Sequence, residues 1–168
     1  MGMSPYVRTL RKHLGHELLL LPSVAGIVRD MSDRVLLVQS RDDDTWTTPG
    51  GSMEMTDSPA DAVVREVWEE TGLLVAPTRI VAVFGGPSFI VRYPNGDETE
   101  YVSTMFECEI RGGSLLESGD DGDEIRSARF FTYDEACELE LSAWLKPVLA
   151  HLYEHGTTWF EPPTWTPG

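Results

Sequence analysis

Three glutamates and an arginine stand close together in the segment GGSMEMTDSPADAVVREVWEETGL, which runs from residue 50 to residue 73. The glutamates are Glu66, Glu69 and Glu70, and Arg65 precedes the first of them. On a helix, residues at this spacing fall within an arc of roughly 100°, so the three carboxylates share one face and repel one another. Carboxylates clustered without histidine or cysteine suit a hard cation such as Mg²⁺ or Mn²⁺ rather than zinc or copper. The segment therefore predicts a divalent-metal site.

A metal ion held by these glutamates indicates a class of reaction. It can bridge phosphate oxygens and lower the pKa of a bound water molecule, which is what hydrolysis of a phosphoanhydride requires. The alternative interpretation is a solvated acidic face that is balanced by Arg65 alone.

Helix signals surround the three glutamates. Ser58 is a good N-cap, Pro59 suits the first helical position, and Asp61 can help to close a capping box. Gly72 suits the left-handed residue that follows a helix end. The pattern predicts a helix over residues 59–71. Ala62 is expected on the acidic face, where its small side chain would leave room for a metal, while the apolar residues expected to face a core are Val63, Val64, Val67 and Trp68.

The spacing of the whole segment resembles a known family motif. It reads Gly51, five residues, Asp57, seven residues, and then REVWEETGL from Arg65 to Leu73, which is similar to the Nudix box of the Nudix hydrolases, including the MutT-like enzymes. The preceding WTTPGG, from Trp46 to Gly51, resembles the start of that motif. The resemblance covers roughly residues 18–136 and implies a Nudix fold, a mixed β-sheet between helices. The pattern alone supports an α/β class of mixed topology.

The resemblance also implies roles for individual residues. The metal ligands would be Glu66, Glu69, Glu70 and the carbonyl of Gly50, with Arg65 orienting the glutamates. Asp57 stands where the family has a glutamate that supports this arginine and the loop. Because its side chain is one methylene shorter, it is expected to reach Arg65 less well.

A further acid usually comes from outside the box, shortly before a late strand. Glu124 resembles that position, and Asp123 and Glu117 are its rivals. If the loop over residues 112–123 is a lid, its closure would bring Glu124 to the metal as a ligand or general base. Glu66 is the competing general base, and the sequence does not choose between them.

Substrate contacts are predicted for three further residues, namely Arg41, Trp46 and Arg92. Each arginine would hold phosphate and the indole would stack on a base or sugar, although strand aromatics are more often packing residues. Four other aromatic residues carry the same two interpretations, and these are Phe84, Phe89, Tyr93 and Tyr101.

The composition excludes several classes of partner. A formal net charge of −15 disfavours binding to a nucleic-acid polymer or to an anionic membrane. Cys108 and Cys137 have no CxxC spacing, so reduced thiols in a cytoplasm are expected. No signal peptide or membrane span is evident.

The remaining elements follow from periodicity and turn signals. We expect a helix over residues 4–14, a first hairpin formed by residues 17–28 and 35–39, and a hairpin turn at Asn95-Gly96. A strand over 125–131 and an apolar helix over 141–155, kinked by Pro147, complete the pattern. The predicted division is a helical extension over 1–16, a Nudix domain over 17–155 and a proline-rich tail over 156–168.

The expected activity is hydrolysis of a nucleoside diphosphate linked to another group, with nucleoside triphosphates and ADP-ribose ranked alike. The alternative is a catalytically silent Nudix-fold module that senses a nucleotide. The resemblance, the N-terminal helix and exposed sheet edges also favour a homodimer.

Overall fold

The computed structural model describes residues 4–41, 44–116 and 125–166. It is a mixed α+β fold with a mixed sheet flanked by helices, which confirms the predicted fold class. The helices are α1 (Pro5–Leu14), α2 (Pro59–Thr71), α3 (Tyr133–Cys137) and α4 (Leu145–His155). The strands are β1 (Leu19–Val28), β2 (Val35–Ser40), β3 (Trp46–Thr47), β4 (Gly50–Ser52), β5 (Leu73–Phe84), β6 (Ile90–Arg92), β7 (Glu98–Gly113), β8 (Ile125–Phe131) and β9 (Trp159–Phe160).

The strands form two sheets. The larger has the order β4-β1-β7-β5-β9, and β6 pairs with the first residues of β7. Within it β1 runs parallel to β7, whereas β4 and β5 are antiparallel to their neighbours β1 and β7. The smaller sheet has the order β3-β2-β8 and is antiparallel.

The prediction that β1 and β2 form a hairpin is wrong. Between them the structure shows one isolated bridge, Arg29 to Val35, after which the strands enter different sheets. The reason is a long-range pairing, since β1 pairs along its whole length with β7. The hairpin predicted at Asn95-Gly96 is confirmed, because β6 and β7 pair across it and Gly96 has φ +87°.

The two faces of the larger sheet are covered differently. Helix α2 covers part of the first face, which carries Val24, Val28 and Phe106. On the second face, α1 places Val7 against Leu19 and Leu21. Beside it, α4 and the smaller sheet pack on the residues of the second face that include Ala25, Ile27 and Met105.

The C-terminal elements differ from the prediction in the start of the last helix, in its shape and in the strand that follows it. Helix α4 begins at Leu145, so Pro147 lies in its first turn, where a missing N–H costs nothing, and the expected kink is wrong. Strand β9 lies in the predicted tail and pairs with β5. The division at residues 16 and 155 stays a prediction. Within the described ranges, no helix has the length and apolarity needed to cross a membrane.

Candidate metal and catalytic site

Helix α2 has the predicted bounds and caps. The Ser58 hydroxyl accepts a hydrogen bond from the Asp61 N–H at 3.1 Å and donates one to the Asp61 carboxylate at 2.6 Å. Pro59 occupies the first turn, and Gly72 ends the helix with φ +69°. These signals are local, which is why the sequence locates the helix closely.

Two expectations about the faces of α2 are wrong. Trp68 does not enter a core, because its side chain is 50% exposed. Ala62 does not line an open acidic face, because it is fully buried in a cluster with Val63 and Val67. The buried arc of the helix is therefore rotated toward Ala62 and Glu66, and away from Trp68.

Arg65 forms hydrogen bonds with three acidic residues of the predicted site. Its guanidinium donates to Glu66 at 2.7 Å, to Glu69 at 3.3 Å and to Asp57 at 3.0 Å. It also donates to the carbonyl of Ser52 at 3.3 Å. One positive charge therefore serves three carboxylates and fixes α2 against β4 and the loop that leads into the helix.

The electrostatics of Arg65 reflect these contacts. Burial lowers the pKa of the guanidinium, but the hydrogen bonds to Asp57 and Glu66 and the charges of Glu66 and Glu69 outweigh burial and raise that pKa above its ordinary value. Arg65 consequently stays charged at every practical pH.

Asp57 reaches Arg65 despite its shorter side chain. Its Oδ2 accepts from Arg65 Nη2 at 3.0 Å and from the Glu54 N–H at 3.2 Å. The same carboxylate oxygen thus closes the loop and holds the arginine. The expectation that Asp57 reaches Arg65 less well is wrong, because the loop brings the aspartate close enough.

Glu66 lies in a recess that depends on glycine. Its side chain is buried, with 5% of the residue exposed, and a Cβ built on Gly51 would lie 2.6 Å from its Oε2. Any side chain at position 51 would displace this carboxylate. The glycine of the motif is therefore explained by the space that Glu66 occupies.

Glu70 connects the helix to the other motif glycine. Its carboxylate accepts a hydrogen bond from the N–H of Gly50 at 3.0 Å. Gly50 in turn lies so close to β1 that a Cβ would collide with the backbone of Val24 and Ala25. The predicted ligand residues Gly50, Glu66, Glu69 and Glu70 are thus brought to one place, between α2 and β4.

The donor set fits a hard divalent cation in kind, because carboxylate oxygens are the ligands that Mg²⁺ and Mn²⁺ prefer. As the side chains stand, no three His, Cys, Asp or Glu residues within the described ranges converge closely enough to hold a metal. Glu66 and Glu69 are instead held by Arg65, and Glu70 by Gly50. Glu124 and its rivals Asp123 and Glu117 lie outside the described residues.

The three predicted substrate contacts are divided between the two sheets, with Arg41 and Trp46 in the smaller sheet's β2–β3 hairpin and Arg92 in the larger sheet. Arg92 is on strand β6, where it donates to Glu98 at 2.7 Å. The indole of Trp46 packs edge-on against Phe131, with ring centroids 4.9 Å apart. Arg41 directly follows β2. Their roles as substrate contacts stay predictions.

Two features of the site were missed at the level of sequence. The Ser52 carbonyl is an acceptor for Arg65, and no local signal identifies it. Thr48, two residues before Gly50, is 2% exposed, and its hydroxyl has no hydrogen-bond partner among the described residues. A buried hydroxyl of this kind can be recognised only once the fold is known.

Comparison with known proteins agrees with this geometry. The model of the NUDIX domain family matches residues 19–152. A MutT-like protein of Streptomyces ambofaciens is 32% identical over 116 residues, which cover 69% of this chain and 66% of that protein. An ADP-ribose pyrophosphatase of Methanocaldococcus jannaschii is 33% identical over 129 residues, covering 74% of this chain and 68% of that one.

A solved structure shows the same fold. The crystal structure of a UDP-X diphosphatase superposes with a TM-score of 0.65 at 23% identity, covering 96% of this chain and 76% of that one. The match to the Streptomyces protein spans slightly less than two thirds of that protein's length. Since the family model spans most of the chain and the motif residues meet in space, this protein belongs to the NUDIX domain family.

Proposed function

We propose that the protein is a Nudix pyrophosphohydrolase that cleaves a phosphoanhydride bond in a nucleoside diphosphate linked to another group. The observation that carries this proposal is the Arg65 cluster. One guanidinium holds Asp57, Glu66 and Glu69 around a recess that Gly51 leaves open. A site that collects more carboxylates than positive charges is suited to take up a cation.

We propose two roles for the residues of the site, namely binding the metal and holding its ligands in place. We assign Glu66, Glu69, Glu70 and the carbonyl of Gly50 as ligands of Mg²⁺ or Mn²⁺, together with Glu124. When bound, such an ion polarises phosphate oxygens and makes a water molecule more acidic. Asp57 and Arg65 hold the glutamates in place, because both are tied to the loop and to each other.

In the proposed reaction, the oxygen of water forms a bond to one phosphorus, and the bridging oxygen leaves with the other. Glu124 or Glu66 accepts the proton from the attacking water. The products are two phosphorylated halves. Arg41, Trp46 and Arg92 remain proposed substrate contacts, and the buried Thr48 hydroxyl near Gly50 is a further candidate to bond a polar group of the substrate.

The substrate class is proposed as a nucleoside triphosphate or an ADP-ribose-like nucleoside diphosphate sugar. The relatives support both, since one is named MutT-like and another an ADP-ribose pyrophosphatase. The same proposal places the enzyme in the cytoplasm, because Cys108 and Cys137 are both free thiols. We also propose that the enzyme forms a homodimer.

A catalytically silent sensor is the alternative function, and the structure removes the feature that favoured it. Asp57 keeps the hydrogen bond to Arg65 that its shorter side chain was expected to weaken. The retained contact between Asp57 and Arg65 supports the hydrolase over the sensor.

The test is incubation with nucleoside triphosphates, ADP-ribose, nucleotide sugars and diadenosine polyphosphates, with and without Mg²⁺ or Mn²⁺, with products identified by mass. Glu69→Gln is the inactivating variant, and Glu161→Gln, an exposed glutamate in the tail, is its matched control. Cleavage that needs metal, is lost in Glu69→Gln and persists in Glu161→Gln supports the proposal. A protein that binds a nucleotide but cleaves nothing would be a sensor.

A further inference from the structure

Two histidines stand four residues apart in the last two turns of α4. They belong to the sequence HLYEH, in which His151 comes first and His155 last. Residues at positions i and i+4 of a helix lie one above the other on the same face. The structure agrees, because the two imidazole rings are stacked with their centroids 4.7 Å apart and their planes inclined by 18°. Two side chains that can bind a metal are thus held side by side.

The pair lies on the outer side of the helix. Leu152, which follows His151 in the sequence, is buried in the core together with Leu149. In contrast, the side chain of His155 is 57% exposed and His151 is half-buried. Neither imidazole belongs to a hydrophobic cluster of the described residues. Core packing therefore does not account for the meeting of the two rings.

The surroundings of the pair favour positive charge. A carboxylate oxygen of Glu154 lies 3.9 Å from Nδ1 of His155, and a carboxylate on that side is the usual partner of a histidine whose Nε2 binds a metal. Helix α4 ends at His155, so the negative end of the helix dipole lies beside the rings. The net charge of −15 acts in the same direction. A cation is therefore attracted to this end of α4.

We propose that His151 and His155 bind a transition metal of the Zn²⁺ class, with Nε2 of each ring as a ligand. Imidazole suits Zn²⁺, Cu²⁺ and Ni²⁺, whereas Mg²⁺ and Mn²⁺ prefer carboxylates. The order His, two residues, Glu, His on a helix is also one that zinc enzymes use to present two imidazoles to the metal. The proposal is independent of the hydrolytic activity, because neither histidine belongs to the Arg65 cluster.

The site has two protein ligands and is proposed to bind metal without a reaction of its own. Within the described ranges, no third His, Cys, Asp or Glu side chain converges on the pair. Zinc in proteins commonly takes four ligands, so water would complete the coordination. Nε2 of His151 lies 3.0 Å from the hydroxyl of Thr157, and the metal would replace this hydrogen bond.

A metal at this position would stabilise the C-terminal part of the fold. It would join the last two turns of α4, directly before the segment that returns to the larger sheet. In that segment the Thr158 hydroxyl donates to the carbonyl of Ile80 at 2.9 Å, and β9 pairs with β5. Because the folded chain holds the two rings together and the unfolded chain does not, Zn²⁺ should raise the melting temperature.

Calorimetric titration of the full chain with Zn²⁺ tests the proposal, in an excess of Mg²⁺ that competes for the carboxylate sites. Wild type is compared with His155→Gln, which removes one ligand. His13→Gln is the matched control, since it removes an exposed histidine from α1. Thermal unfolding without Zn²⁺ shows whether each variant has kept its fold. Electron paramagnetic resonance with Cu²⁺ as the probe identifies the ligand atoms.

Wild type and His13→Gln should bind Zn²⁺ at a site from which Mg²⁺ does not displace it. In His155→Gln the dissociation constant of this site should rise by about a hundredfold, because the second imidazole binds intramolecularly. Cu²⁺ on the wild type should show coupling to two nitrogen atoms, and this coupling should be lost in His155→Gln. A wild type without such a site, an affinity that His155→Gln leaves unchanged, or a copper spectrum with oxygen ligands alone would each overturn the proposal.

Discussion

Two arginines organise two regions of this protein, and they do so with different partners. Arg11 ties α1 to the hairpin of β6 and β7, and its bonds go mainly to the carbonyls of Gly15, Glu17 and Glu98. Among the described residues its ion-pair partner is Asp97, whose Oδ2 lies 3.5 Å from Arg11 Nε. Arg65 instead donates to three carboxylates of the described residues, as well as to the carbonyl of Ser52.

These different partners indicate that Arg11 has a structural role, whereas Arg65 positions the carboxylates of the proposed metal site. The charge of Arg11 is matched by a single carboxylate, and Asp97 is also bonded by His16 and Asn95. The charges of Arg11 and Asp97 are thus matched within the fold, although the buried Nε of Arg11 makes no hydrogen bond among the described residues. Around Arg65 the carboxylates outnumber the guanidinium, which is destabilising until a cation arrives. We therefore expect metal ions to affect the Arg65 region and to leave the Arg11 region unchanged.

The largest effect is expected from Glu66→Gln, which removes a buried carboxylate from the proposed metal site. Hydrolysis should fall on the order of 10³-fold. The rise in melting temperature that Mg²⁺ gives the wild type should also disappear. The readouts are product formation and thermal unfolding with and without Mg²⁺. Full activity in Glu66→Gln would refute the role assigned to this residue.

Gly51→Ala should weaken metal binding by about 10–100-fold, because the new Cβ displaces the Glu66 carboxylate without removing it. The measurement is calorimetric titration with Mn²⁺. Gly112→Ala is the matched control, since a Cβ there meets nothing within 4 Å and its φ is not positive. Equal affinities in the two variants would contradict the explanation of the motif glycine.

Arg65→Gln should lower the free energy of unfolding by about 1–3 kcal/mol, because Asp57, Glu66 and Glu69 lose their shared donor. Mg²⁺ should restore part of this loss, since a cation relieves the same repulsion. Urea unfolding at several Mg²⁺ concentrations measures both effects. A deficit that Mg²⁺ does not change would show that the acids are simply structural.

Arg11→Gln is the counterpart in the other region, with an expected loss of about 1–2 kcal/mol from the broken bonds to carbonyls and Asp97. Here Mg²⁺ should recover nothing beyond what it adds to the wild type. If both arginine variants respond to Mg²⁺ alike, the contrast between the two regions fails.

The smallest effect is a dependence on pH that belongs to Asp97. The hydrogen bond from His16 is the main cause that holds the pKa of this carboxyl below its usual range, with Asn95 and Arg11 adding to it against the effect of burial. Its stabilising contribution is therefore complete above the ordinary pKa of about 3.9 and is lost as pH falls through the lower folded value. Asp97→Asn should flatten the acid side of the stability curve, measured as urea midpoints from about pH 5 to pH 3.

The helix of the site could be predicted because its signals are local. Ser58, Pro59 and Gly72 fix the ends of α2, and the spacing from Gly51 to Leu73 identifies the family. The faces of the helix could not be assigned as well. Val64 and Trp68 are apolar, yet Trp68 is exposed, because the sheet meets the helix along Ala62, Val63 and Val67 instead.

Contacts distant in sequence were beyond prediction. β1 pairs with β7, whose partner residues lie 80 positions further along the chain. A turn signal after β1 does not indicate which strand β1 will pair with. The same holds for Arg11, whose partners include Glu98 and Asp97. The roles of the box acids were proposed from the motif, and only the fold shows that Arg65, Gly50 and Gly51 surround them.

The central claim is that the carboxylates held by Arg65 and Gly50 form a divalent-cation site. Electron paramagnetic resonance of Mn²⁺ tests it most directly, comparing the wild type with a variant in which Glu66, Glu69 and Glu70 are all replaced by glutamine. We expect the wild type to bind Mn²⁺ tightly and lower the signal of the free ion, and we expect the variant to lack these tight sites. Equal numbers and affinities of sites in the two proteins would contradict the claim.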